Sequence, residues 1–186
     1  SIETGNRKSI EDELINANRD VAIVTLPIEN ETLEIETRFG MDCVCILPKS
    51  HHLAAKPQIE AKDLTDEPFI SKSPESIFRY RIDELFSRHG IKRSLRLESQ
   101  STVNVCHMVA NGLGVSIVHG FLAPYFSDRL LIKPFNPSIT VGYGIITNSA
   151  ITNTQPVTDF IANAVSLFET LKHSPDLGKR PILLAN

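Results

Sequence analysis

The run at residues 102–120, TVNVCHMVANGLGVSIVHG, restricts the possible folds more than any other stretch of the chain. Apolar residues at helical spacing end in Gly112-Leu113-Gly114, and a short apolar strand, Val115 to Val118, follows at once. Glycines at these two positions permit a tight helix-to-strand reversal that a Cβ would obstruct. Upstream, Leu95-Arg96-Leu97-Glu98 alternates as a strand does, and Ser99-Gln100-Ser101 stands where that strand hands over to the helix. The product is a strand–polar loop–helix–strand unit whose loop can aim backbone N–H groups and hydroxyls at a small polar ligand. The same pattern also fits an ordinary α/β crossover in which Ser and Thr only cap a helix.

At 186 residues the chain accommodates one medium domain or two small lobes. Its 41% apolar and 22% charged residues are ordinary for a globular protein, so composition alone singles out no special class. A net charge of −3 supplies no basic field for wrapping nucleic acid, so this segment is not expected to grip DNA itself. No apolar run approaches the roughly 20 residues that span a bilayer. The opening SIETGNRKS lacks the pattern of a signal peptide. Cys43 and Cys45 lie two apart in a strand-like run and share one side of it, while Cys106 falls on the apolar face of a helix. Cys-x-Cys in a strand is awkward for a disulfide, and no spacing suggests zinc. Buried free thiols are the expectation, and with them a reducing compartment, the cytoplasm.

Helical and extended patterns alternate along the chain. Ser9 is expected to cap a helix reaching Asn18, with Ile10, Leu14, Ile15 and Ala17 as its buried stripe. Val21-Ala22-Ile23-Val24 reads as a strand buried on both faces. Residues 33–47 read as one long extended segment stopping at Pro48. Pro68-Phe69-Ile70 is a short strand, after which Ser73-Pro74-Glu75-Ser76 opens a helix ending at His89-Gly90. Leu130-Leu131-Ile132 is a strand broken at Pro134 and Pro137; residues 141–147 form another. Val157, Phe160, Ile161, Ala164, Val165, Phe168 and Leu171 mark an amphipathic helix. This alternation implies an α/β fold. Residues 47–50 and 134–141 each couple a long extended stretch to prolines and read as crossings between lobes. Residues 49–137 then make one lobe, 1–48 with 138–173 the other, and 174–186 an irregular tail. A two-stranded hinge of this kind places a cleft between the lobes, where strand ends and helix starts receive small ligands.

With these markers in order, the chain resembles the effector-binding domain of LysR-type transcriptional regulators over about residues 1 to 172. The resemblance is carried by Glu3-Thr4-Gly5 ahead of a helix ending Asn18-Arg19-Asp20-Val21-Ala22-Ile23, by Leu47-Pro48-Lys49-Ser50-His51-His52-Leu53-Ala54, and by Asp63-Leu64 with Pro68-Phe69-Ile70. Val103, then Val109-Ala110-Asn111-Gly112-Leu113-Gly114-Val115-Ser116-Ile117-Val118, completes the set. It implies a two-lobed, type II periplasmic-binding-protein-like α/β fold with two crossover strands, a small-molecule effector in the interlobe cleft, and pairing as a homodimer or tetramer. It also implies an upstream winged helix-turn-helix domain that binds DNA. Ser1 falls where the family's second strand begins, so the opening strand and helix of the first lobe are expected upstream of it. Two positions depart from the family: His51-His52 replaces a common His-Pro, and His119 stands where the strand after the glycines usually meets a proline.

By the family's alignment the effector is held from the loop Gly5-Asn6-Arg7 and from residues 99–102. Asn6 offers both a donor and an acceptor, and reads equally as a turn residue before a helix. Gln100, Ser101 and Thr102 can donate to a carboxylate beside helix N-terminal amides, or merely cap that helix. Ser71 and Ser73 follow the Phe69-Ile70 strand and can line the same cleft; solvated loop serines are the alternative. Phe78, Arg79, Tyr80 and Arg81 group aromatic and guanidinium side chains at one helix start, the apolar ones reading as core or dimer surface. No metal set or cofactor is expected, since the six histidines are scattered and His51-His52 reads as a solvated loop pair. No catalytic residue is assigned: nothing has the spacing of a nucleophile with its base, and Ser116 lies mid-strand without a strained turn. The leading expectation is a ligand sensor of a DNA-binding regulator, with an amino acid or derivative as effector. A solute-binding protein of a transporter shares the fold logic but needs an export signal, and an enzyme on the same scaffold needs a reacting constellation.

Overall fold

A computed structural model describes residues 1–151, 154–172 and 182–183. In chain order the elements are α1 (Arg7–Ile15), β1 (Val21–Thr25), β2 (Leu33–Pro48), β3 (Ile59–Glu60), β4 (Pro68–Lys72), α2 (Ile77–Arg88), β5 (Ser94–Ser99), α3 (Thr102–Ala110), β6 (Ser116–His119), β7 (Leu130–Asn136), β8 (Thr140–Asn148), α4 (Gln155–Lys172) and β9 (Ile182–Leu183). The chain divides into two compact units. Unit 1 takes Ser1–Met41 and the described residues from Val141 on; unit 2 takes Asp42–Thr140. The passages between them therefore fall inside β2, rather than at its Pro48 end, and at the start of β8.

In unit 1, α1 begins two residues before Ser9, because Asn6 caps it: the Asn6 Oδ1 accepts the Ser9 N–H at 2.9 Å. The helix stops at Ile15, short of the expected Asn18. Ala17 adopts φ 57°, and the N–H groups of Ala17 and Asn18 return to the carbonyls of Leu14 and Glu13, which closes the last turn. β1 pairs antiparallel with β8, from Val21 opposite Thr147 to Thr25 opposite Tyr143. Ile23 is 42% exposed, so β1 has one wet face and is not the doubly buried strand its composition suggests. Leu14, Val24, Leu33 and Ile146 form the core beneath α1, and Asn148 ties the helix end to β8 by donating to the Leu14 carbonyl at 3.1 Å. On α4, Phe168 stacks on Phe39 at 3.7 Å, while Phe160 stays exposed. Ile182 and Leu183 pair with Gly40 and Phe39, so the expected irregular tail contains a strand. The remainder of 173–186 lies outside the described residues.

Unit 2 is a sheet built around the second half of β2, which pairs antiparallel with both β6 and β7. β3 lies parallel to β7 beyond it, and β4 with β5 form a parallel pair. That pair joins β6 through Val115: Val115 N–H donates to the Pro68 carbonyl and Ile70 N–H to the Val115 carbonyl, each at 2.8 Å. β7 does not break at Pro134, which sits opposite Val44 within the strand, since proline's fixed φ is compatible with extended backbone. α2 starts at Ile77 instead of Pro74; Ser76 N–H reaches the Ser73 carbonyl at 3.0 Å, making residues 73–76 a turn with proline at its second position. Val105, Cys106 and Val109 of α3 pack on Val44, Ile46, Ile70, Val118 and Leu130.

The reversal after α3 rests on two different uses of glycine. Gly112, at φ 76°, lets its own N–H and that of Leu113 cap the carbonyls of Val109 and Met108. Gly114 passes directly beneath β4, where a Cβ would lie 2.3 Å from the Pro68 carbonyl oxygen. At the far end of β6, His119 sits opposite Cys43 with its ring 4.3 Å from that of Phe78. Burial, with the Lys72 charge adding to it, lowers the His119 pKa to about 4.

Two expectations follow. Gly114→Ala should cost about 2–3 kcal/mol in urea unfolding and Gly112→Ala about 1–2, since only the former has no room for a methyl group; equal losses would contradict the close approach at Pro68. For His119 the folded pKa lies below the unfolded value near 6.5, so the unfolded chain takes up the proton first. Its contribution is complete above about pH 6.5 and drains away as pH falls to about 4, by roughly 3 kcal/mol. Denaturant titrations at pH 7 and pH 4.5 should show His119→Phe losing less stability on acidification than the parent chain.

Candidate functional site

The parallel pairing of β4 and β5 places Ser71 opposite Glu98 and Lys72 opposite Ser99, so both strands finish side by side. Each is followed at once by a polar turn, 73–76 after β4 and 100–101 after β5. α3 then starts with its N-terminal amides at this same edge. Ser101 is its N-cap and accepts the Asn104 N–H at 3.4 Å, a long bond that leaves the hydroxyl proton uncommitted. The Ser99 hydroxyl braces the turn by accepting the Ser101 N–H at 3.2 Å. Thr102, the first helical residue, is half-buried and Gln100 exposed.

The Lys72 ammonium group donates to the Gln100 carbonyl, which pins the loop to the end of β4. It is half-buried, has no carboxylate partner among the described residues, and desolvation lowers its pKa. The acidic group nearest in the register, Glu98, is already engaged by Arg79 at 2.5 Å. Arg79 also donates to Asp83 at 2.6 Å and to the Lys72 carbonyl at 3.0 Å, and so ties the start of α2 to the ends of β4 and β5. Hydrogen bonds and ion pairing to Glu98 and Asp83 outweigh the desolvation of this guanidinium and hold its pKa above the ordinary value.

Of the residues singled out from sequence, Ser71, Ser73, Gln100, Ser101 and Thr102 all fall at this edge of unit 2. Ser71 is not a solvated loop residue: it is 1% exposed, lies within β4, and its Oγ has no hydrogen-bond partner among the described residues. Ser73 is half-buried and gives its carbonyl to the turn. Asn6 belongs to unit 1, where its Oδ1 is committed to the cap of α1 while the two Nδ2 protons stay outside that cap. The four-residue group at the start of α2 separates by role. Phe78 is core against His119, Arg79 is the strand clasp, Tyr80 is 66% exposed, and Arg81 donates to the Thr140 carbonyl at 3.0 Å. Sequence reasoning passed over Lys72, although a lysine closing an apolar strand beside two serines is a visible signal. Of the histidine pair, His52 is exposed as expected, whereas the His51 side chain is only 13% exposed, and both reach Glu67.

Chemically, this edge offers hydroxyls, helix N-terminal amides and an ammonium group, a donor-rich set suited to a small anionic ligand. It offers no activated nucleophile. The three cysteines are buried and unpaired, and burial pushes their thiols above the ordinary pKa, Cys106 to about 11. Among the described residues no helix is long and apolar enough to cross a membrane.

The family model for the LysR substrate binding domain matches residues 1–168. The regulatory protein NocR of Agrobacterium tumefaciens (strain T37) is 31% identical over 157 residues, covering 84% of this chain and 51% of that protein. The transcriptional activator protein LysR of Escherichia coli (strain K12) is 34% identical over 108 residues, 58% of this chain and 35% of its own length. The chain thus spans about half the length, or less, of these curated relatives. Among solved structures, the CcmR regulatory domain of Synechocystis PCC6803 in complex with 2-PG superimposes with a TM-score of 0.75 at 24% identity, covering 90% of this chain and 82% of that one. The effector binding domain of QuiR in complex with shikimate gives 0.74 at 22% identity, covering 91% and 81%. The fold is thereby the type II periplasmic-binding-protein-like α/β fold. The chain belongs to the LysR substrate binding domain family.

Proposed function

We propose that this chain is the small-molecule-sensing domain of a LysR-type DNA-binding transcription regulator, and that its effector carries an anionic group. The observation that carries the reading is the edge of unit 2 where the loop at 99–102, the start of α3 and the half-buried Lys72 present donors without a matching carboxylate. Thr102 and Ser101 are the proposed hydroxyl donors, Gln100 and Ser73 supply further polar contacts, and Ser71 offers a buried hydroxyl beside them. Asn6, in unit 1, is proposed as an effector contact in its own right, through its Nδ2 protons. An amino acid or its derivative fits this set, because its carboxylate would take the place of the counter-ion that Lys72 lacks.

The relatives named above are regulators, and two neighbouring domains were solved with small molecules, which supports a sensing role without catalysis. DNA binding is assigned to a winged helix-turn-helix domain upstream of Ser1, with a homodimer or tetramer as the working assembly. The effector acts by its unequal affinity for two arrangements of that assembly, since a ligand that binds both equally shifts nothing. Three buried free thiols support the cytoplasm as its location.

Thermal unfolding of the chain against a panel of amino acids and small organic acids tests this directly. A cognate acid at about 100 times its Kd should stabilise the chain by about 2.7 kcal/mol. Lys72→Met and Thr102→Val should each remove most of that gain while leaving the ligand-free melting temperature within a few degrees. A panel without effect, or stabilisation that survives both substitutions, would sink the assignment.

A further inference from the structure

We propose that unit 2 carries a zinc site formed by His51, His52 and Glu67. After β2 ends at Pro48 the chain enters a single 3-10 turn, His52–Ala55, capped by His51. This turn brings the two neighbouring imidazoles to the same side, with ring centroids 4.4 Å apart. Glu67 meets them from the far end of unit 2's other connection, immediately before β4. Its backbone is set by Asp66, a non-glycine residue at φ 61° whose N–H is held by the Lys92 carbonyl at 3.2 Å. Such a conformation persists only where surrounding contacts impose it, and here it delivers the Glu67 carboxylate to the histidines.

The distances match a metal. His51 Nε2 lies 3.3 Å from Glu67 Oε2, and His52 Nε2 lies 3.0 Å from Glu67 Oε1. One ligand atom from each of the three residues can be chosen so that all lie within 4.8 Å of one another. A tetrahedral zinc with bonds of about 2.0–2.1 Å places its ligand atoms about 3.3 Å apart, close to the two histidine–glutamate separations. Two imidazoles and one carboxylate select zinc over magnesium or calcium, which prefer oxygen shells. The fourth position opens to water on the His52 side, whose ring is 67% exposed. Asp63, four residues before Glu67, is paired with Lys56 at 2.5 Å and stays out of the set.

Without metal, both imidazoles face the one Glu67 carboxylate through Nε2. His51 Nδ1 accepts the Leu53 N–H at 3.3 Å, which puts its proton on Nε2. Zinc takes Nε2 by moving that proton to Nδ1, at the loss of one long hydrogen bond. The turn keeps its backbone bonds from Ala54 to His51 and from Lys56 to Leu53. His52 stands where the resembled family commonly has proline, so the site belongs to this chain's own sequence rather than to the shared fold.

Isothermal titration of Zn2+ into the untagged, chelator-treated chain tests the proposal, with thermal unfolding as a second readout. The expected result is saturable binding of one Zn2+ per chain and a raised melting temperature, with no response to Mg2+. His52→Ala and Glu67→Gln should each weaken binding by at least about tenfold. His52 is exposed, so its replacement leaves the fold in place and the variant can be measured. Absence of saturable binding would overturn the proposal. So would unchanged affinity in both variants, which would place the metal elsewhere, for instance on the thiols.

Discussion

Two hydrogen bonds at Val115 hold the functional edge of unit 2 in place. They are the only ladder contacts described between the β4–β5 pair and the rest of that unit's sheet, and a parallel pair of strands on its own is marginal in water. Both require the backbone at Gly114 to pass under the Pro68 carbonyl at a separation no side chain permits. With that junction made, Ile70 enters the core under α3, β4 and β5 end together, and the loop at 99–102 has a fixed anchor on each side. Without it, the polar residues would remain in sequence but would no longer share an edge.

Charge at that edge is partitioned by Arg79. A guanidinium can satisfy two carboxylates and a carbonyl at once because its donors are arranged as a planar fork, and Arg79 does so with Asp83, Glu98 and the Lys72 carbonyl. Glu98, which lies opposite Ser71 one position before the Lys72–Ser99 pair, is thereby engaged by Arg79 and not by Lys72. A buried arginine clasp thus does two things. It fastens α2 to the strand ends, and it keeps a donor-rich edge from neutralising itself.

Much of the fold was legible because its signals are local. The apolar helix period, the paired glycines and the following strand at 102–120 lie within one short window, and the structure places α3, the reversal and β6 there. The errors came where two local signals compete or where the partner is remote. Asn6 and Ser9 are both good caps, and only the backbone chooses Asn6. Ser73-Pro74 suits a helix start and a β-turn equally well, and the turn prevails. The Arg79 contact with Glu98 is remote in sequence, and Ser71 reads as a solvated loop serine although it is buried within β4. The pairing of His51 and His52 with Glu67 was equally hidden, since nothing in a histidine doublet points to a glutamate on another connection.

Native-state hydrogen exchange at the amides of Ile70 and Val115 examines the junction most directly. If these two bonds tie β4 and β5 into the sheet, both amides exchange only through cooperative unfolding of unit 2, at the same rate as the core amides of β2 and with the same response to denaturant. Exchange at the pace of the exposed loop at 100–101, with β2 still protected, would show that the pair opens independently and that the polar edge is not preformed.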